Sequence, residues 1–350
     1  MIPLFKPFMP ELLEINAILH SGALSYGNYT REFEERLRDF FGTHFLLVTG
    51  SFSDAINVSL KTIGAECGDE VIASPMACLA STQPYLAAGL QVRWADVDPQ
   101  RGTLSPDIVE KQITRRTKAI IHNHFCGYPG HIDDINYIGR KHGIPVLDDG
   151  IECFGSRYKG SLIGNCGTDI TVFSLSAVRF CNCIEGGILI FKEKSLFEKA
   201  KLIRDCGIDR TKFRDELGEI SPDCDIRLAG YSATMSNVNG YIGLKQMEHV
   251  DELLASHHKQ ANRWLNYFSE RNQYVPITCK DCEPNYWIFG LLSDRKREEI
   301  IKFREMGYYA SGVHIRNDFY SVFGKQNADL AGVEKFYGSF LALPCGWWMQ

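Results

Sequence analysis

The feature that most constrains the fold is a regular alternation of strand-like and helix-like segments between residues 44 and 192. Seven short runs have the composition typical of strands, and they are HFLLVTG, DEVIASP, QVRWADVD, TKAIIHNHFCG, PVLDDG, DITVFSLS and GGILIFK. Among them lie segments with apolar residues at helical spacing, such as SFSDAINVSLKTIG, CLASTQPYLAAG and IDDINYIGRKHG. Alternation of this kind predicts an α/β fold, with a mostly parallel sheet covered by helices on both faces.

Polar residues gather where the predicted strands end. In sheets of this type, ligands bind beyond the carboxyl ends of the strands. The residues at these ends are Gly50 to Ser53, Ser74, His124, Asp148 to Glu152 and Ser174 to Arg179. We therefore expect the functional site at this rim of the sheet.

The last third of the sequence predicts a second, smaller unit. A long helix, KQMEHVDELLASHHKQANRWLNYFSE, precedes strand-like NYWIFGLL, helix-like DRKREEIIKFREMG and a closing FLALPCGWWM. Chains longer than roughly 250 to 300 residues tend to divide into domains. We expect a large domain over residues 1–245 and a small one over residues 246–350.

Charge and hydropathy exclude two classes of partner. The formal net charge is -5 and no dense block of lysine and arginine is present, so neither nucleic acid nor an anionic membrane surface is an expected partner. No apolar stretch approaches the roughly 20 residues that span a bilayer, and the N-terminus lacks the pattern of a signal peptide. We expect a cytoplasmic protein whose partners are small molecules or proteins.

The 12 cysteines do not predict a metal site. Most of them lie far apart in the sequence, and we expect them to be small buried residues. Cys279 and Cys282 form a single CxxC pair without a second ligand pair at zinc-site spacing. We expect reduced thiols and no bound metal.

The order of motifs resembles the DegT/DnrJ/EryC1/StrS family of sugar aminotransferases. The matching stretches are LSYGNYTREFEERLRDFFG, GDEVIASP, the block from IIHNHFCGYPG to TDITVFSLS, LIRDCGIDR, AGYSATMSNVNGYIGLKQMEHVDE and FLALPCGWWM. Together they cover nearly the whole chain. The resemblance implies a fold-type I aminotransferase architecture, pyridoxal phosphate as the family cofactor, and active sites completed across a dimer interface.

At the position of the family's Schiff-base lysine this chain carries Arg179. The position follows from counting back from Glu185, Gly186 and Gly187, which match the family's Glu-Gly-Gly motif. A guanidinium stays protonated at physiological pH, so it cannot act as the amine nucleophile of this chemistry. Transamination through Arg179 is therefore not expected.

Several residues that would hold the cofactor also differ from the family pattern. Phe52 replaces a glycine of the phosphate-binding turn and Asp54 adds a negative charge, although Ser51 and Ser53 retain hydroxyl groups. Cys78 replaces the aromatic residue that stacks on the pyridine ring. By this comparison the phosphate-binding turn and the stacking surface are both degraded.

Of the other positions that contact the cofactor in the family, two are replaced and two are retained. Ser232 replaces an asparagine that reaches the phosphate from the partner subunit of the family dimer, and Glu152 replaces a glutamine or histidine near the ring hydroxyl. Ser174, a phosphate ligand, and Asp149, the partner of the pyridinium nitrogen, are retained. We expect no cofactor; the alternative is non-covalent pyridoxal or pyridoxamine phosphate, as in family dehydratases that carry histidine at the lysine position.

Each remaining candidate has two interpretations. Arg179 either binds an anionic group of a substrate or forms a salt bridge with Asp149 or Glu152. His124 either takes part in catalysis or makes structural hydrogen bonds. Four residues fall in loops that face the substrate in the family, namely Tyr26, Asn28, His314 and Arg316.

Two classes of function remain open. The first is a repurposed enzyme that acts on a nucleotide-linked sugar in surface-glycan or secondary-metabolite biosynthesis, with Asp149, Glu152 or His124 in acid–base roles and Arg179 orienting the substrate. The second is a pseudoenzyme that serves as the binding partner of an active paralogue. In either case we expect a homodimer or a heterodimer with a paralogue. Fold likeness alone does not decide between them.

Overall fold

A seven-stranded sheet lies at the centre of the computed structural model, which describes residues 1–326 and 328–349. The strands of the protein in chain order are β1 (Leu46–Thr49), β2 (Glu70–Ala73), β3 (Gln91–Trp94), β4 (Thr117–Asn123), β5 (Val146–Asp149), β6 (Arg157–Tyr158), β7 (Ser161–Leu162), β8 (Ile170–Ser174), β9 (Gly187–Phe191), β10 (Val275–Pro276), β11 (Cys282–Glu283), β12 (Phe289–Leu292) and β13 (Phe340–Leu343). The order in the central sheet is β1-β9-β8-β5-β4-β2-β3.

The sheet is mostly parallel. Strands β8, β5, β4, β2 and β3 run in one direction, whereas β9 is antiparallel to both of its neighbours, β1 and β8. These seven strands coincide with the seven predicted from the sequence, so the predicted α/β fold class is confirmed.

Helices cover the sheet, with short connections that place the strand ends at one rim. They are α1 (Ile15–His20), α2 (Asn28–Phe41), α3 (Phe52–Thr62), α4 (Leu79–Ala87), α5 (Pro106–Gln112), α6 (Ile132–His142), α7 (Lys194–Arg204), α8 (Asn237–Met247), α9 (Val250–Phe268), α10 (Lys296–Glu305) and α11 (Ala331–Ser339). Local signals set their ends: Ser51 caps α3 by accepting the Asp54 N–H over 3.0 Å. Gly42 and Gly143 end α2 and α6 in the left-handed conformation.

The single long helix predicted from residue 245 is wrong. The structure ends α8 at Met247 and begins α9 at Val250, with Glu248 and His249 between them. Met247 and Val250 are both buried in the main apolar cluster. Because a change of helix direction lets both helices bury their apolar faces, packing interrupts a sequence whose local pattern is helical throughout.

A second sheet, β10-β12-β13, belongs to the C-terminal third. It packs against α9 and α10 in a separate apolar cluster that includes Trp264, Phe268 and Phe303. The N-terminus also lies here, because Ile2 forms a parallel bridge with Tyr308. The predicted boundary at residue 245 falls within the last turn of α8, and the division into two domains remains a prediction.

Two further expectations from the sequence concern the cysteines and possible membrane-spanning helices. Cys279 and Cys282 are joined as a disulfide, so the expected reduced state does not hold for this pair. The other ten cysteines are free thiols. Within residues 1–326 and 328–349, no helix is both long and apolar enough to cross a bilayer.

Candidate functional site

The site begins where β4 and β5 end side by side. The strand register places His122 opposite Asp148 and Asn123 opposite Asp149. Asp149 is 1% exposed and accepts hydrogen bonds from Asn123 Nδ2 at 2.9 Å and from the Ile151 N–H at 3.2 Å. Burial raises the pKa of Asp149, since no cation balances its charge at close range among the described residues.

Glu152 lies on the loop after β5 and accepts hydrogen bonds from two groups. Its Oε2 accepts the backbone N–H of Cys126 at 2.8 Å, and its Oε1 accepts His314 Nε2 at 2.8 Å. The left-handed backbone of Cys126 (φ 54°) in the turn after β4 presents that N–H. Burial alone would raise the pKa of Glu152, but His314 and Arg179 hold it below its ordinary value. Glu152 is therefore a buried, charged carboxylate.

Arg179 is the third member of this group. Its Nη2 lies 3.4 Å from Oε1 of Glu152, and its side chain is only 7% exposed. The guanidinium carbon lies 4.3 Å from the ring centroid of Trp287. Trp287 is itself fixed, because Nε1 donates to the Val178 carbonyl at 2.8 Å and Phe5 stacks on the ring at 4.3 Å. The salt bridge expected with Asp149 or Glu152 is thus made with Glu152.

Beside this group lies a buried polar cluster that the sequence analysis described only in part. Asp148 accepts His122 Nδ1 at 3.1 Å and Thr168 Oγ1 at 2.6 Å, and His124 Nε2 lies 3.5 Å from the same carboxylate. Burial would raise the pKa of Asp148, but the two histidines hold it well below the ordinary value. Burial lowers the pKa of His122 to about 4. His124 therefore lies within a network of structural contacts. Its neighbours His122 and Thr168 were not among the residues that the sequence suggested.

The geometry of His124 bears on metal binding. The ligand atoms of His122, His124 and Asp148 lie within 4.8 Å of one another. However, Nδ1 of His124 accepts the N–H of Gly130 at 3.1 Å, so Nε2 carries the proton of the neutral ring. A metal ion at Nε2 would have to displace that proton. The absence of a bound metal therefore remains our prediction.

The start of α3 is the position that the resemblance assigns to a phosphate. Ser51 Oγ is already used as the cap of the helix, whereas Ser53 is exposed. Asp54 occupies the first turn of α3. Burial and the nearby Asp54 carboxylate raise the pKa of Glu185. Two carboxyl groups therefore lie near this helix start.

Three other residues from the predicted cofactor set have separate contacts. Cys78 is half-buried at the start of α4, and burial, followed by the Glu152 carboxylate, raises its pKa to about 11. Ser174 Oγ donates to Ser176 Oγ at 3.1 Å. Ser232 is exposed and forms an isolated bridge with Asp205.

The four residues predicted to face a substrate differ in their contacts. His314 reaches Glu152, as described above. Tyr26 donates to Glu34 Oε2 at 2.9 Å, and Asn28 accepts from Arg31 on the same helix. Arg316 makes a two-pronged contact with Asp318 at 2.8 and 2.6 Å.

The structure therefore brings together Arg179, Glu152 and His314, with Asp149 and Cys78 close enough to influence the same charges. Trp287, which supports Arg179, was missed by sequence reasoning. The aromatic residues of NYWIFGLL were the available signal, but nothing in the sequence shows which strand of the C-terminal sheet faces the rim.

Comparison with known proteins gives the class. The model of the DegT/DnrJ/EryC1/StrS aminotransferase family matches residues 10–350. The uncharacterized protein MJ1066 of Methanocaldococcus jannaschii is 26% identical over 98% of this chain and 92% of its own length. The sequence thus corresponds to the DegT/DnrJ/EryC1/StrS aminotransferase family over nearly its whole length.

Solved structures agree with this class. AtS13 from Actinomadura melliaura has 30% sequence identity and a TM-score of 0.92, with 100% of this chain and 95% of that chain covered. The sugar aminotransferase CalS13 from Micromonospora echinospora has 26% identity and a TM-score of 0.93, with 100% and 96% covered. The chain belongs to the DegT/DnrJ/EryC1/StrS aminotransferase family.

Proposed function

We propose that this chain is a family member that acts on a nucleotide-linked sugar without a Schiff base to pyridoxal phosphate. The observation that carries the proposal is the shared Oε1 of Glu152, which lies 2.8 Å from His314 Nε2 and 3.4 Å from Arg179 Nη2. The sugar part of the proposal is supported by the family and by relatives named as sugar aminotransferases.

Arg179 is central to the departure from the family's chemistry. The resemblance places it where the family carries its lysine, and its guanidinium is paired with Glu152 and stacked on Trp287. A guanidinium neither forms an imine nor exchanges protons near neutral pH. When bound, pyridoxal phosphate supplies an electrophilic carbonyl and an electron sink, and this chain offers no amine at the matching position.

The phosphate end of the cofactor also fits poorly. The N-terminus of a helix attracts an anion because its free N–H groups and dipole favour negative charge. Here Ser51 takes up the Asp54 N–H, and the Asp54 carboxylate occupies the first turn of α3. Since Glu185 adds a second carboxyl group nearby, a phosphate at this end would meet like charge.

Only some of the residues that would contact the pyridine ring of the cofactor fit it. Asp149 is present, and no cation among the described residues lies close to it. A protonated pyridine nitrogen would supply the positive charge that Asp149 lacks. Cys78, however, offers no aromatic face, and the Arg179 side chain extends to the carboxylate of Glu152 near the ring position. The residues therefore do not fit the cofactor well, and non-covalent binding of the pyridoxamine form is the alternative that the experiment below tests.

His314 and Glu152 form the pair that can do acid–base chemistry. Nε2 of His314 is held by the Glu152 carboxylate, whereas Nδ1 makes no hydrogen bond within the described residues. A carboxylate that fixes one ring nitrogen orients the other for proton exchange. Since the His314 side chain is 15% exposed, we assign proton transfer to its Nδ1 and orientation of an anionic substrate group to Arg179. Isomerisation, epimerisation and elimination all require such groups.

The test has two parts. The protein is titrated with pyridoxal phosphate and pyridoxamine phosphate, with absorbance spectra and borohydride trapping as readouts; we expect no trapped adduct. Nucleotide-linked sugars in D₂O are then followed by NMR for exchange of ring C–H protons, which the wild type should catalyse and the His314→Gln variant should not. A trapped adduct, or exchange unaffected by His314→Gln, would overturn the proposal.

A second candidate function, a non-catalytic subunit, is favoured by the contacts of Tyr26 and Arg316. Both side chains are engaged with their own chain, through Glu34 and Asp318. In this case the protein would serve as the partner of an active paralogue. Copurification with an intact aminotransferase from the source cells would support this role, whereas a homodimer in light scattering that binds a nucleotide-linked sugar on its own would favour the repurposed enzyme.

A further inference from the structure

The central sheet has an open edge at β3. The order of the strands places β3 last, with β2 as its one neighbour among the described strands. A groove runs along this edge and encloses about 980 Å³, open solvent at its mouth included. Its walls come from β3, the end of α4, the end of α5 and the segment from residue 323 to residue 328. The edge of a sheet is a ready template for another extended chain.

Two residues of β3 direct their backbone groups to this edge. In a parallel pair, alternate residues of a strand bond to a given neighbour. The Gln91 N–H donates to the Asp69 carbonyl on the β2 side at 2.8 Å, so Val92 and Trp94 direct their backbone groups outward. Within the described residues, the Val92 N–H and the Trp94 carbonyl have no hydrogen-bond partner.

The other two edge groups are held by the side chain of Gln326. Its Oε1 accepts the Trp94 N–H at 3.1 Å, and its Nε2 donates to the Val92 carbonyl at 2.7 Å. These are the two contacts that one residue of a neighbouring parallel strand would make. Gln326 is exposed, so the backbone of a real strand can displace its amide.

One side of the groove is basic, because side chains alternate between the two faces along β3. On this side Arg116 Nη2 lies 2.5 Å and Arg93 Nε 3.9 Å from the carboxylate of Glu70, which is buried. Glu70 is the one acidic residue of the described lining. One carboxylate therefore balances two guanidinium groups, and both of these are partly exposed to the groove.

The opposite side of the groove is apolar. Trp94 lies there, with the ring of Phe323 at 5.0 Å. Nε1 of Trp94 on this side and Nε of Arg93 on the basic side are buried donors without hydrogen-bond partners. Because buried polar atoms are nearly always paired, the missing partner supplies acceptors on both sides of the strand. An extended peptide carries acceptors in its backbone and in acidic side chains.

We propose that this edge binds an extended peptide segment in which acidic and apolar residues alternate. Its backbone pairs with Val92 and Trp94 in place of the Gln326 amide, as in other cases of strand addition to a sheet. Because the added strand continues both faces of the sheet, its acidic side chains meet Arg93 and Arg116, and its apolar side chains meet the Trp94 side. The proposal is independent of the proposed sugar chemistry, because the groove shares no described residue with the candidate site.

The probe is a fluorescein-labelled peptide of three valine-glutamate repeats, and the receptor is the full chain. Fluorescence anisotropy measures the affinity. One matched peptide carries lysine in place of glutamate, and a second carries three valines followed by three glutamates, which keeps the charge and loses the alternation. We expect saturable binding of the alternating peptide, at least about tenfold tighter than binding of either control peptide.

Variants of the protein have effects of opposite sign. Arg116→Gln should weaken the alternating peptide by about threefold, because it removes a partly exposed charge. Gln326→Ala should tighten it by about threefold, because it removes the amide that competes for the edge. Gln326→Ala keeps the test informative if Arg116→Gln does not fold. Arg157→Gln, on the separate sheet β11-β6-β7, is the control and should leave the affinity unchanged.

Hydrogen exchange locates the bound peptide. The Val92 N–H has no partner among the described residues, so a saturating amount of the alternating peptide should slow its exchange. Three results would overturn the proposal: no saturable binding, equal affinity for the lysine peptide, or exchange at Val92 that the bound peptide does not slow. An affinity that neither Arg116→Gln nor Gln326→Ala changes would overturn it as well.

Discussion

His314 Nε2 and Glu152 Oε1 are 2.8 Å apart, and this contact joins a loop of the C-terminal third to the loop that follows β5. The same oxygen receives Arg179 at 3.4 Å. One carboxylate therefore balances two basic side chains from distant parts of the sequence, in a site where the side chain of Glu152 is 1% exposed.

Glu152→Ala should lower the free energy of unfolding by about 3 kcal/mol or more, because removing one partner of a buried ion pair leaves the other charge uncompensated. Urea denaturation followed by circular dichroism measures the change. The matched control is Asp133→Ala, whose pair with Lys159 is about half exposed on both sides and should contribute less than about 1 kcal/mol. Equal effects of the two substitutions would contradict the prediction.

Asp148→Asn should destabilise the protein by about 1 to 3 kcal/mol. In the wild type, donors point at both oxygens of the Asp148 carboxylate, and in the variant one of these oxygens becomes an NH₂ group that cannot accept. Thr168→Val, which removes the 2.6 Å hydrogen bond to Asp148, should lose about 1.5 kcal/mol. Thermal and urea unfolding provide the measurement. Asp134→Asn is the control, since its carboxylate is 68% exposed; a comparable loss there would show that burial is not the cause.

Stability should fall as the pH is lowered from about 6.5 to 4. His122 and His257 both have pKa values near 4 in the folded chain, whereas an unfolded histidine titrates near about 6.5. In this window the unfolded chain binds protons that the folded chain does not, so each histidine lowers stability by up to about 3 kcal/mol. Urea midpoints at pH 7.5, 6 and 5 measure the slope.

The histidine substitution His257→Gln provides the check on that slope. Glutamine can still donate to the Tyr286 carbonyl, but it does not titrate. The variant should show a flatter dependence of the urea midpoint on pH between 6.5 and 4. An unchanged slope would mean that other groups dominate the acid sensitivity.

Tyr26→Phe should destabilise the protein by about 1.5 kcal/mol, because its hydroxyl donates to the buried carboxylate of Glu34 at 2.9 Å. The same substitution should leave the affinity for any nucleotide-linked sugar unchanged, since the hydroxyl is already engaged. Sugar binding is measured by calorimetry and stability by urea unfolding, both on the same preparation. Loss of sugar affinity without loss of stability would instead support the substrate role that the resemblance implies.

Local patterns in the sequence predicted the strands and the rim of the sheet. Strand periodicity located the seven strands of the central sheet, and the strand ends located the rim that carries Asp149, Glu152 and Arg179. The interruption between α8 and α9 was not predictable, because residues 245–268 have helical character throughout and packing of Met247 and Val250 decides the turn.

Contacts between segments that lie far apart in the sequence could not be predicted either. His122 and Asp148 are 26 residues apart and meet only because β4 and β5 pair in a particular register. Arg179 could have paired with either Asp149 or Glu152 by sequence alone. The tertiary structure selects Glu152, which His314 approaches from the C-terminal third.

The sequence by itself determined the fold class and the family, and it places an arginine at residue 179, because these depend on residue type and short-range order. Only the tertiary structure decided which charges are paired, such as Arg179 with Glu152. The physical reason is that the strength of an ion pair or a hydrogen bond depends on distance and burial. Both are fixed by the packing of segments that lie far apart in the chain.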